Sequence, residues 1–458
     1  MPETFEHSME RGEAIMSDRR HADALVAFEA ALKIAKAPHQ RAQALDRMAN
    51  ACYHLKEDKR TFDLLDEAIA LCLPIADTDR PAAFALARAW YDKGGMLAQL
   101  GKSEGLHALE LLIDRFVDEA SADLERDDDE LQLRYIVVLA MNLRAAGLRK
   151  LDRKRDALAC YDDMIRRFAP VTEGAIERVV SRVMLNRAWL AADLGRADEE
   201  MAGYDALVAR YGENHLLSVS HTIIDALTGK HQCYRDQEEF EKAIEACDEI
   251  IRRYQFDPGE DIAERVARTM IRRANYLNKL GRSDEEFAAY DQVSQMFGHF
   301  EEQEVRLHAA KALMFKAVSL NDADQGAAEM ECYDEVLRRF ADDAHPEVRA
   351  VAADALIHKG MSLGAIAEDA AEDTGVREID AEIACYNEVV ARYGAEEPIV
   401  LRRAVAEALL HKGETLLEAG RPGDASICLD SLIASYASID DTEMQEIVKE
   451  ARALKTEA

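Results

Sequence analysis

CYDEVLRRF, residues 332–340, is the stretch from which this chain can be read. It recurs as CYDDMIRRF at 160–168, GYDALVARY at 203–211, ACDEIIRRY at 246–254 and AYDQVSQMF at 289–297. CYNEVVARY at 385–393 and CLDSLIASY at 428–436 continue it. With the second residue of each copy as anchor, the positions are 161, 204, 247, 290, 333, 386 and 429, spaced by 43 residues in every step but one, which is 53. Self-similarity at such a fixed period marks a repeat architecture. Fainter copies carry the series back to Leu109, Leu65 and Phe28, so the chain reads as ten units with the first three more divergent. In eight consecutive units, from Phe116 to Tyr436, an aromatic stands seven residues after the anchor. A ten-residue excess falls in Ala365 to Asp380 and a nine-residue excess near Ser121 to Glu130; both are acidic and read as lengthened loops.

Each unit is expected to be two amphipathic helices. Met330, Tyr333, Val336, Leu337 and Phe340 form one helical stripe, and Ala267, Met270, Ile271, Ala274 and Leu277 form another. Between such stripes Gly281 suits a left-handed helix end, and Ser283 with Glu286 reads as a capping box. Gly212, Gly298 and Gly394 follow the second helices and are expected to end them in the same way. Helices of about 16 residues would be about 24 Å long. One pair cannot bury its apolar stripe alone, whereas stacked pairs can.

Composition agrees. Of 458 residues, 48% are apolar and 32% charged, enough apolar content for a core and against a disordered chain. The 57 basic against 89 acidic residues give a formal charge of −32, which opposes nucleic-acid binding. No uncharged apolar run reaches the roughly 18 residues of a membrane span, and Met1 to Glu10 lacks the pattern of a signal peptide.

The pattern resembles the tetratricopeptide-repeat (TPR) family, whose units place a small residue, an apolar residue three on, then Ala and an aromatic four further. Gly12, Ile15, Ala24 and Phe28 match it in the first unit, and Gly413, Leu416, Ala425 and Leu429 in the last. Ala49, Ala145, Ala188, Ala274, Ala317 and Gly360 hold the small position elsewhere, and Trp90 matches the family's early Trp. The chain departs from the family in its 43-residue period, in His231 at one small site and in lacking a regular closing Pro. The resemblance covers about Thr4 to Ala437 and implies an all-α fold, an α-solenoid of stacked antiparallel helix pairs with about ten TPR-like units. Residues Asp441 to Thr456 are expected to add a C-terminal capping helix. The domain reading is divergent TPR-like units over 1–150, regular ones over 151–437, and the capping helix and tail over 438–458.

Residues that could carry chemistry dissolve into the repeat. Cys160, Cys332, Cys385 and Cys428 each precede an anchor, where Ala27, Gly203, Ala246 and Ala289 stand in other units. Cysteine there is a compact hydrophobe, and no CxxC pair supports a zinc or redox site. His358-Lys359-Gly360 and His411-Lys412-Gly413 are equivalent positions of adjacent units rather than a metal or catalytic pair. Neighbours such as Asp162 and Asp163 diverge around a helix, so they are no carboxylate pair. No catalytic residue, cofactor or metal is expected, and free thiols point to the cytoplasm.

The resemblance also implies that the first helices of successive units line a concave face that grips peptides or protein segments. Residues about 22 before each anchor would face it: Gln43, Arg88, Leu139, Arg182, Asp225, Arg268, Lys311, Asp354 and Glu407. Arg88, Arg182, Arg268 and Lys311 make a ladder of cations, with Asn186, Arg272 and Asn275 a turn or less away. Guanidinium groups hold carboxylates by paired hydrogen bonds, so the expected partner is a protein or peptide with an acidic or apolar segment. The family's carboxylate clamp for chaperone tails is suggested only by Asn50 and Asn275 and lacks its surrounding set. The acidic insertion is a second candidate surface. The expected function is a non-enzymatic scaffold or regulatory adaptor, able to sequester or inhibit its partner. The alternative is a sensor that takes a small ligand or signalling peptide in the groove.

Overall fold

The computed structural model describes residues 4–122, 128–213, 216–257, 259–368 and 372–457. The chain divides into two compact units, Met1–Ala226 and Leu227–Ala458. Among the described residues there are 21 α-helices and no strand. The first unit holds α1 (Phe5–Ser17), α2 (His21–Ile34), α3 (Pro38–His54), α4 (Asp58–Cys72), α5 (Arg80–Gln99), α6 (Glu104–Ser121), α7 (Asp128–Lys150), α8 (Lys154–Phe168), α9 (Gly174–Asp193) and α10 (Ala197–Tyr211). The division falls within α11 (Leu217–Asp236). The second unit continues with α12 (Phe240–Tyr254), α13 (Glu260–Lys279), α14 (Ser283–Phe297), α15 (Gln303–Asp322), α16 (Gly326–Phe340), α17 (Pro346–Glu368), α18 (Glu372–Tyr393), α19 (Ile399–Glu418), α20 (Pro422–Tyr436) and α21 (Thr442–Glu457).

These are ten antiparallel pairs and a final helix. The regular pair is a first helix of 20 residues, as in α13, and a second of 15, as in α14. A three-residue turn and a five-residue connector complete the 43-residue period. The first helices are thus longer than the 16 residues expected, about 30 Å at 1.5 Å per residue.

Burial explains the register. All ten anchors, from Phe28 to Leu429, are 2% exposed or less. Each enters against the small residue of its own first helix. A Cβ added to Gly413 would lie 2.6 Å from Leu429 Cδ2, and one on Gly360 would lie 3.0 Å from the Tyr386 ring. Within each unit, successive first helices also pack on one another, α3 on α5 and α5 on α7, then α13 on α15, α15 on α17 and α17 on α19. First helices therefore form the inner layer of each stack. Helix α21 closes the second stack, burying Met444, Val448 and Ala451 against it and turning Glu446, Lys449 and Glu450 to solvent. Trp90 is buried beside Phe116, with ring centroids 6.4 Å apart.

In nine of the ten pairs the described turn between the helices holds one residue of left-handed backbone. Gly101, Gly195, Gly281 and Gly420 adopt left-handed φ there, as do Arg19, Lys56, Asp152, Glu238 and Asp324. The backbone bonds Arg282 N–H to Leu277 O, 3.0 Å, and Gly281 N–H to Asn278 O, 2.9 Å, close the end of α13.

Three local expectations are corrected. First, Ser283 and Glu286 do not form a capping box. The N-cap of α14 is Arg282, without a side-chain cap, and Glu286 is 1% exposed. Its Oε2 accepts from Asn278 Nδ2, 3.0 Å, and its Oε1 from the Ser319 hydroxyl of α15, 2.5 Å. Second, Gly212 and Gly298 end their helices in right-handed backbone (φ −59 and −68), and Gly394 is not among the left-handed glycines. The room above Gly298 is taken by Arg339, which donates to Ser294 O at 2.8 Å and Ser294 Oγ at 2.6 Å. Third, the excess near Ala365 to Asp380 is no lengthened loop. Helix α17 has 23 residues and α18 has 22, so three and seven additional helical residues account for the ten. Residues 369–371 of that stretch lie outside the described residues, as do 123–127 of the nine-residue excess, where α6 and α7 are each three residues longer than the regular helices.

Candidate functional site

All nine projected groove positions fall on first helices, and none is buried. In the first unit, Arg88 Nε donates to Asp92 Oδ2 at 2.9 Å. Behind it Asp46 is 3% exposed, with Oδ1 unpartnered. Burial first, and then the charge of Asp92, raises the Asp46 carboxyl well above the ordinary range. Arg88 and Asp46, with Gln43, Arg47 and Phe84, line a cavity of about 230 Å³. Arg182 pairs with Asp225 of the next first helix, Nη1 to Oδ2 3.1 Å, and Asn186 is half-buried one turn on. Arg182 is thus neutralised by the residue one period later.

The second unit differs. Arg268, Arg272 and Asn275 lie on α13 and Lys311 on α15. Arg268 Nη1 is 3.6 Å from Glu264, a partner shared with His308 Nε2 at 3.9 Å. Asn275 uses its Oδ1 to accept from the Tyr290 hydroxyl, 2.6 Å. Arg272 is half-buried, and its Nη1 lies 3.5 Å from His231 Nε2. Among the described residues no carboxylate lies within ion-pair distance of Arg272 or Lys311. Burial first, and then Arg268, weakens the hold of Arg272 on its proton. Farther along the layer the sign reverses: burial raises the carboxyl pKa of Asp354 on α17 and Glu407 on α19, and Asp354 raises Glu407 further.

The projection missed two histidines beside these residues, His231 and His308. His231 occupies a small-residue position yet is fully buried, Nδ1 3.0 Å from the Tyr276 hydroxyl. Burial, then Arg272, lowers its pKa to about 4. The folded state thus binds this proton less tightly than the unfolded state, so stability is present above the ordinary value of 6.5 and is lost as pH falls from there towards 4. Between pH 7 and pH 5 the loss is expected to reach about 2 kcal/mol. Urea unfolding at both pH values checks this, because His231→Ala, the residue of Ala188 and Ala274, should remove that part of the pH dependence.

The other singled-out residues serve the packing. Eight free cysteines are described, of which Cys332, Cys385 and Cys428 are buried and Cys160 is half-buried. Burial raises all four thiols. His358 Nδ1 lies 2.9 Å from Asp354 O, and His411 Nδ1 lies 3.0 Å from Glu414 Oε2, so the two do not share a ligand. Among the described residues no group of three or more potential ligands could hold a metal, and no helix is long and apolar enough to cross a membrane.

No protein-family model matches the chain, and no curated protein matches it in sequence. Among solved structures it is similar to the apo form of RapI, with 9% identity over 91% of this chain and 98% of that one and a TM-score of 0.39. It is similar to the P58(IPK) TPR domain, with 14% identity over 99% and 98% of the two chains and a TM-score of 0.24. The apo quorum sensor NprR from B. thuringiensis is 12% identical over 72% of this chain and 86% of its own, with a TM-score of 0.35. By its own repeating helix pairs and their packing, the chain is an all-α helical-repeat protein with a 43-residue unit.

Proposed function

We propose that the chain is a non-enzymatic protein–protein interaction scaffold or regulatory adaptor whose second unit takes an acidic segment of a partner on its first-helix layer. One observation carries this reading. In a chain of charge −32, Arg272 is half-buried, sits beside Arg268, and has no carboxylate partner among the described residues. A partly desolvated guanidinium gains most from a carboxylate supplied from outside. Arg268 and Lys311 flank it, and Asn275 adds an amide. The acidic Asp354 and Glu407 beyond them favour a segment that is acidic at one end and basic or polar at the other. The same grip can hold a partner inactive, so sequestration is one form the adaptor role takes. The cytoplasm suits eight free cysteines, and the acidic charge argues against nucleic acid as partner.

The test is the charge reversal Arg268→Glu with Arg272→Glu. Proteins that co-purify with the wild-type chain at low salt are identified by mass spectrometry, and their affinity for the double variant is measured. At least a tenfold loss is expected, with the melting temperature kept and the loss smaller at high salt. Equal affinity of both proteins for the same partner would overturn the reading.

A further inference from the structure

Glu286, Glu329 and Glu382 stand four residues before their anchors, 1%, 2% and 7% exposed. In each, Oε1 accepts a hydroxyl from the next first helix: Ser319 at 2.5 Å, Ser362 at 2.6 Å and Thr415 at 2.7 Å. In the first two, Oε2 accepts an amide N–H from the first helix of the same pair, Asn278 at 3.0 Å and Asn321 at 3.1 Å. Once the ten-residue excess is allowed for, the third unit has Gly364 where the others have Asn. Among the described residues nothing replaces that amide, and a Cβ on Gly364 would come within 2.5 Å of Glu382 Oε2.

A cavity of about 640 Å³ opens at this place, between α17, α18 and α19. Glu382, Glu414 and Glu418 line it together with His411, Tyr386 and the apolar Met361 and Ile379. His411 is bonded to Glu414 and holds its proton more tightly for that reason, which still leaves the carboxyl groups in excess. Lys412, next to His411 on α19, is turned to Asn387 at 2.7 Å. We propose that this cavity binds a protonated alkyl amine, its ammonium donating to Glu382 Oε2 in place of the missing asparagine and its stem lying along Met361 and Ile379. Glu382 Oε2 has no donor among the described residues, and an alkyl stem is what the apolar wall accepts. The site lies apart from the Arg272 cluster and does not rest on the function proposed for it.

Calorimetric titration of the full chain at pH 7 tests this with three probes: cadaverine, N-acetyl-lysine methylamide and the uncharged 1-pentanol. Saturable binding of at least one amine and none of pentanol is expected. Tighter binding of cadaverine would assign the site to free diamines, and tighter binding of the lysine amide to a side chain of a peptide. Glu382→Gln and Gly364→Asn should each weaken the amine at least tenfold. Gly364→Asn installs the amide that Asn278 and Asn321 already supply, but its Cβ would meet Glu382 and make that side chain shift, so Glu382→Gln, which adds no atom at that contact and keeps Oε1, is the variant whose retained melting temperature separates lost binding from lost folding. No saturable amine binding, equal binding of pentanol, or unchanged affinity in both variants would overturn the proposal.

Discussion

Replacing Glu329 by alanine is expected to destabilise the second unit by about 3–5 kcal/mol, because buried donors are then left without an acceptor. Glu329 is 2% exposed and accepts three hydrogen bonds, from Tyr333 Oη at 3.0 Å, Ser362 Oγ at 2.6 Å and Asn321 Nδ2 at 3.1 Å. The donors come from α15, α16 and α17, so one side chain ties three helices. Burial, then the Glu329 charge, raises the Tyr333 pKa, as a phenol held against a carboxylate requires. Glu329→Gln keeps the Oε1 bonds and sets one amide N–H₂ against that of Asn321, a conflict relieved if Asn321 turns its amide. Its cost should be nearer 1 kcal/mol. Urea unfolding of both variants, with exposed Glu331→Ala as reference, checks the ranking. Equal stability of the alanine and glutamine variants would refute the part assigned to the hydrogen bonds.

Phe340→Ala should cost about as much, about 3–5 kcal/mol, by a different route. Phe340 is the aromatic seven residues after the anchor Tyr333, 1% exposed, with the Arg339 guanidinium 5.0 Å from its ring centroid. Deletion of the ring removes apolar burial and leaves a void in a stack whose pairs hold mainly to their neighbours. The loss should therefore stay local. Native-state hydrogen exchange is expected to quicken by two to three orders of magnitude in α16 and α17, at about tenfold per 1.4 kcal/mol, while α20 and α21 change little. Phe256, 86% exposed, supplies the contrast, and its alanine variant should stay within about 0.5 kcal/mol of wild type. Uniform loss of protection through the second unit would instead mean that it unfolds as one block.

Much of this fold was legible because each anchor repeats at a fixed step, and burial enforces the same residue types at the same places. Tyr333, Gly360 and the final helix with Met444 were all open to that reasoning. The helicity of the long ninth pair was not read, because AEDAAEDTGVREID looks like a solvated loop by charge. Its Ala and Glu are nonetheless strong helix formers, and solvated carboxylates do not oppose a helix. Glu286 misled through a local signal: Ser-x-x-Glu is a capping box in isolation, but Ser319, 33 residues downstream, supplies the donor that decides its orientation. The site was legible in the same uneven way. The partnership of Arg182 with Asp225 follows the period, whereas nothing in the spacing marks His231 as the neighbour of Arg272.

From α8 onwards the five-residue connectors stay constant while helix length changes. In the ninth pair both helices grow, yet α18 still meets α19 across five residues and Tyr386 still fills its own small-residue seat. The additional residues stand at the C-terminal end of α17 and the N-terminal end of α18, away from the connector to α19. Such a chain can gain material at one edge of one pair without renegotiating any other. Novelty would then collect along the turn edge, while the inner layer stays under the discipline of its neighbours.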